Sequence, residues 1–175
     1  QLLWINLVTD SLPAISLGME NVEPDVMERK PKPKDESIFA HGLLIRVILQ
    51  GVMFSALTLF GFWQGNRITG GIDGGRTVAF IILALTQVVH SFNMRSDHSL
   101  FKIGPFTNGK LNVAALISVM LITFVVLIEP VANVFGLIRL PAGLYLQAAL
   151  LAFVPVPVLE LTKAFGIIRS HHRKN

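Results

Sequence analysis

The chain has 175 residues, 52% of them hydrophobic and 15% charged, against about 25% charged in an average soluble domain. Its mean hydropathy is +0.60. Lysine and arginine outnumber acids by 15 to 11, and the absence of cysteine excludes disulfides, thiolate metal centres and cysteine catalysis.

The first element is an apolar stretch, residues 1–19, interrupted by Asn6-Leu7-Val8-Thr9-Asp10 and by Pro13. If residues 2–19 form a helix, Asn6 and Asp10 lie one turn apart on one face, with Thr9 beside them. An amide oxygen, a hydroxyl and a carboxylate are hard donors suited to Ca²⁺ or a similar cation. Pro13 lacks an N–H, so the Thr9 carbonyl loses its helical partner and becomes a further donor. Such polarity is costly inside a membrane and marks a functional site. Hydrogen bonding between helices is the plainer reading of Asn6 and Thr9, and a protonated or paired structural acid that of Asp10.

A mixed-charge connection follows at 20–37, stiffened by Pro24, Pro31 and Pro33. On its residues alone it reads as a solvated connector rather than a docking surface. Four runs without charge come next, at 47–63, 78–92, 111–128 and 142–159. Each reaches or approaches the roughly 17–25 residues that cross a bilayer, the second with help from its flanks. With the opening segment they predict an all-α, polytopic bundle of five spans, residues 38–175 forming a four-helix anchor. A soluble helical core is the weaker alternative, because successive runs of this length are rare outside lipid.

The positive charge is distributed by side. Arg29, Lys30, Lys32, Lys34, Arg95, Lys102 and Lys110 occupy the first and third connections, with Arg169, Arg173 and Lys174 in the tail. The opposite side carries only Arg67, Arg76 and Arg139. Basic short loops stay cytoplasmic, which puts loop 20–37, loop 95–110 and the C-terminus inside. The basic excess is thus a topology signal, and nucleic acid is not an expected partner.

Smaller features fit this layout. Trp4, Trp63 and Tyr145 fall near span ends, as interfacial aromatics do. Gly65, Gly70, Gly71, Gly74 and Gly75 predict a turn-rich outer loop, and Asn108-Gly109 turns the chain into the fourth span. Glu129-Pro130 ends that span, and Pro155 and Pro157 kink the fifth. Arg46 is placed to snorkel to the inner boundary. Glu160 and Lys163 suit an i,i+3 pair. Gln87, His90 and Asn93 recur along one helix as a polar stripe, suited to ligand or helix–helix contacts. His171-His172 is a tail pair.

The segment Gln1-Leu-Leu-Trp-Ile-Asn-Leu-Val-Thr-Asp-Ser-Leu-Pro-Ala-Ile-Ser-Leu-Gly-Met-Glu20 resembles the sixth membrane helix of P-type Ca²⁺-transporting ATPases. Asp25-Val-Met-Glu-Arg-Lys-Pro-Lys-Pro-Lys34 resembles the cytoplasmic loop after it. The chain is similar to the last five of that family's ten membrane helices, in bacterial or plasma-membrane-like form. The resemblance implies that Asn6, Thr9 and Asp10 coordinate transported Ca²⁺ and that the helix unwinds locally at Pro13. Gln87 stands where the two-ion pumps place a glutamate, which implies a single ion per cycle. Gln87 and Asn93 are secondary candidates for the ion site.

The family's Asp-Lys-Thr-Gly phosphorylation motif and a phosphate-binding glycine loop are both absent. No catalytic or cofactor-binding residue is therefore assigned, and ATP and Mg²⁺ belong to a full-length pump. The chain begins without methionine inside a helix, and is expected to be a piece of such a pump. Its expected partners are the lipid bilayer, the pump's other membrane helices and its cytoplasmic phosphorylation domain, which loop 20–37 would touch. The expected location is the plasma membrane. A P-type pump for Mn²⁺ or Na⁺ and a self-contained five-span channel or secondary transporter are the alternatives.

Overall fold

The computed structural model describes residues 1–22, 26–28, 31, 34, 43–95, 100–104 and 106–165, and every regular element among them is helical. Four of these helices are long and apolar enough to cross a membrane: Leu43–Thr69, Ile72–Asn93, Gly109–Leu127 and Ala142–Ala164. A shorter apolar helix, Leu2–Gly18, precedes them. The molecule is an all-α polytopic bundle, one of the two architectures that satisfy backbone groups within a bilayer. Most of loop 20–37 and the tail with His171 and His172 lie outside the described residues.

The opening helix is not continuous. It comprises α1 (Leu2–Trp4), a π-helical turn (Ile5–Thr9) and α2 (Ser11–Gly18). Pro13 stands in the first turn of α2, where a proline is best tolerated, and it gives no N–H to the Thr9 carbonyl one turn back. The irregularity therefore falls just ahead of the proline.

α3 (Leu43–Thr69) and α4 (Ile72–Asn93) form an antiparallel hairpin. The predicted outer loop contracts to a turn at Gly70 and Gly71, and Gly70 takes a left-handed φ of 73°. Gly65, Gly74 and Gly75 belong to the helices instead, because they are needed where the two backbones meet. A Cβ on Gly65 would lie 2.8 Å from the Gly74 carbonyl, and one on Gly75 2.7 Å from the Phe62 carbonyl. Close approach over small residues is how helices associate in lipid, where burial of apolar surface gives little drive.

After the short α5 (Leu100–Ile103) comes α6 (Gly109–Leu127), capped by the Asn108 carboxamide, which accepts from Leu111 N at 3.0 Å. The chain then breaks at Ile128, and Pro130 begins α7 (Glu129–Val134). α8 (Ala142–Phe153) and α9 (Pro155–Ala164) form one span broken at Pro155, as the prolines predict. Helix α4 is central, packing on α3, α6, α8, α9 and the opening helix. The core joins Val78, Ile82 and Ala84 to Ile122, Val125, Leu144 and Ala148.

At one end of the bundle, Trp4 packs edge-on against Phe135 at 5.3 Å. The Gln1 amide donates to the Phe135 carbonyl at 2.7 Å, and the Tyr145 hydroxyl accepts from Leu140 N at 3.0 Å. Arg46 is buried against the end of α4, its guanidinium reaching Met94 Sδ at 3.9 Å. The Glu160–Lys163 pair forms at 3.5 Å, and Lys163 also donates to the Asn93 carbonyl at 3.3 Å.

Candidate cation site on the opening helix

The π-turn sets the geometry of the Asn-Leu-Val-Thr-Asp segment. Asp10 N donates to Ile5 O at 2.9 Å, one residue further back than in an α-helix. Thr9 Oγ1 also donates to Ile5 O, at 2.8 Å, and Ser11 Oγ takes up the Asn6 carbonyl at 3.2 Å. Such one-residue bulges concentrate at functional sites.

The three candidate donors are divided by this turn. Thr9 is fully buried, whereas Asn6 is exposed and Asp10 half-exposed. Among the described residues, neither the Asn6 carboxamide nor the Asp10 carboxylate has a hydrogen-bond partner or counter-ion. The Thr9 carbonyl, freed by Pro13, is not vacant: Ser118 Oγ of α6 donates to it at 3.3 Å. Asp10 is the one acid in residues 1–19, and the described residues contain no cluster of three His, Cys, Asp or Glu able to hold a metal. A cation on this face would need oxygens from elsewhere.

Gln87 and Asn93 are placed differently. Gln87 is half-buried on α4, and among the described residues no hydrogen bond joins it or Asn93 to Asn6, Thr9 or Asp10. Asn93 is completely buried, and its neighbours include Lys163. His90, one turn earlier, meets the Phe54 ring edge-on at 5.0 Å. The end of this stripe thus faces α3 and α9.

Where the opening helix ends, a dense polar clamp holds it. Arg95 grips Glu20 side-on, Nη2 to Oε1 at 2.8 Å and Nε to Oε2 at 3.0 Å, the bidentate geometry that makes arginine–carboxylate pairs strong. The same guanidinium donates to Gly104 O at 2.9 Å and Thr107 Oγ1 at 2.7 Å. The Asn108 amide also donates to Glu20 while its oxygen caps α6, and Ser16 Oγ donates to Leu12 O and Lys110 O. The Arg95 hydrogen bond holds the Glu20 carboxyl below the usual carboxylate range; Asn108 and the Arg95 charge reinforce this against burial.

Sequence reasoning missed this clamp and Ser118. In the sequence, Arg95 reads only as a topology charge and Asn108 only as a turn residue. The asparagine before a helical run carried the cap signal, but nothing local pairs Glu20 with a residue 75 positions away. Ser118 is a single small polar residue within an apolar run, a pattern with no distinctive signature.

Comparison with known proteins fits these features. Residues 1–165 match the family described as "Cation transporting ATPase, C-terminus". The chain is 38% identical to "Calcium-transporting ATPase 1" of Bacillus cereus, over 93% of this chain and 20% of that protein. It is 35% identical to "Calcium-transporting ATPase" of Bacillus subtilis, over 91% and 18%. With human "Calcium-transporting ATPase type 2C member 1" it shares 31% identity over 77% of this chain and 15% of that protein. The chain thus spans about a fifth of the length of its bacterial relatives. An all-α membrane bundle with this match over nearly its whole length belongs to the C-terminal family of cation-transporting ATPases.

Proposed function

We propose that this chain is the C-terminal membrane part of an ATP-driven Ca²⁺ pump, and that Asn6, Thr9 and Asp10 supply part of its transport site. The observation that carries this reading is the pair of unpartnered oxygen donors, Asn6 and Asp10, at a π-turn in an otherwise apolar helix. An unpaired carboxylate at membrane depth is costly and is retained where it binds or moves a charge. The relatives' names favour Ca²⁺.

Ca²⁺ takes about six to eight oxygens, and this helix offers three side-chain donors. The remaining ligands would come from membrane helices outside this chain, and ATP and Mg²⁺ would act on a phosphorylation domain outside it. Loop 20–37 would touch that domain. Gln87, an amide rather than a carboxylate, favours one ion per cycle, with Asn93 a secondary candidate at the site. The positive charges favour a cytoplasmic loop 20–37, loop 95–110 and C-terminus, in a pump of the plasma membrane.

The test is Asp10→Asn in the full-length protein carrying this segment. Ca²⁺-dependent phosphorylation from ATP should be abolished. Unchanged Ca²⁺ activation would remove Asp10 from the site. Repeating the wild-type assay with Mn²⁺ and Na⁺ in place of Ca²⁺ identifies the ion.

A further inference from the structure

We infer that Ser118, on α6, is a positioning residue for the cation site: its hydroxyl fixes the Thr9 carbonyl and with it the turn that carries Asn6 and Asp10. This inference rests on the proposed site. In a regular helix Thr9 O would accept from residue 13, but Pro13 has no N–H to give. The next amide, Ala14 N, is committed to Asp10 O at 3.0 Å. Asp10 N, which would ordinarily bond Asn6 O, has moved back to Ile5 O. The helix therefore offers Thr9 O nothing, and an orphaned buried carbonyl is a costly group.

Ser118 Oγ meets that need at 3.3 Å, across 109 residues of sequence, and both Ser118 and Thr9 are fully buried. Among the described residues the other hydrogen bonds on this turn are local: Thr9 Oγ1 and Asp10 N to Ile5 O, Ser11 Oγ to Asn6 O. Local bonds fix the shape of the turn, and its position against the bundle comes from packing on α4 and α6, where Ile5 is buried, together with a bond to another helix. Ser118 supplies it at the residue between the two outward-facing donors. A carbonyl oxygen has two lone pairs, so Ser118 can orient Thr9 O without exhausting it.

The experiment uses the full-length protein and reads phosphorylation from ATP twice, against Ca²⁺ at saturating ATP and against ATP at saturating Ca²⁺. Ser118→Ala should raise the half-activating Ca²⁺ concentration about three- to ten-fold, as expected for one intramembrane hydrogen bond. The half-saturating ATP concentration should stay at the wild-type value. Ser118→Thr, which keeps the hydroxyl, should restore most of the Ca²⁺ sensitivity. Wild-type Ca²⁺ dependence in Ser118→Ala, alongside loss in Asp10→Asn, overturns this inference and leaves the site standing. Parallel loss of Ca²⁺ and ATP sensitivity shows a general structural role and overturns it as well. Unchanged Ca²⁺ dependence in Asp10→Asn removes the site and this inference with it.

Discussion

Where α2 ends, Glu20 is held by Arg95 and Asn108, and Arg95 in turn ties Gly104 and Thr107. Ten residues earlier, Asp10 has no partner among the described residues, and neither does the Asn6 side chain. Both regions place polar groups on the same helix of an apolar chain. At the clamp every charge is spent on protein, so the groups there serve position. At the turn the donors are left unspent, which costs stability and makes sense where a ligand is to be bound. Ser118 links the two plans, since it spends one backbone oxygen and leaves the side-chain donors open.

The most damaging single change at the clamp is at Arg95. Replacing it by alanine leaves the half-buried Glu20 carboxylate without its cation and takes the donor from Gly104 O and Thr107 Oγ1, a loss of about 1–3 kcal/mol for stripping bonded groups of their partner. Thermal unfolding in detergent should show a large fall, while the folded fraction keeps its Ca²⁺ sensitivity. A selective loss of Ca²⁺ sensitivity with unchanged melting would erase the distinction between the regions.

Asn108→Ala removes a helix cap together with a Glu20 contact and should cost about 0.5–2 kcal/mol. The same melting experiment checks it. Acid should act in the same direction. Because Glu20 is held below the usual carboxylate range, its stabilisation is complete above that range and is lost as pH falls through the lowered value. Melting temperature should therefore decline on acidification in that window, and Glu20→Gln should lack that part of the decline. The smallest effect on stability belongs to Asn6→Ala, within about 0.5 kcal/mol as for an exposed, unbonded side chain, although Ca²⁺ activation should weaken.

Much of the bundle was legible because uncharged runs of bilayer length admit few other structures. Pro155 and Glu129-Pro130 marked real breaks, since a proline cannot continue the hydrogen-bond ladder. The glycines between α3 and α4 misled, because glycine serves turns and close helix crossings alike. Only the structure separates Gly70, with its positive φ, from Gly65 and Gly75, which admit a neighbouring backbone. At the site, Pro13 announced the freed Thr9 carbonyl, but nothing local announced Ser118 as its partner. The π-turn itself was unreadable for the same reason: Pro13 predicted an irregularity, and the register in which the backbone resolves it depends on packing against α4 and α6.

The proposed role of the Asp10 carboxylate as a cation ligand is checked by equilibrium Ca²⁺ binding to the full-length protein, wild type against Asp10→Asn, with both melting temperatures recorded. High-affinity Ca²⁺ binding should be lost with the melting temperature unchanged or raised, since a carboxylate without a partner among the described residues is removed. Wild-type Ca²⁺ affinity in Asp10→Asn would contradict that role.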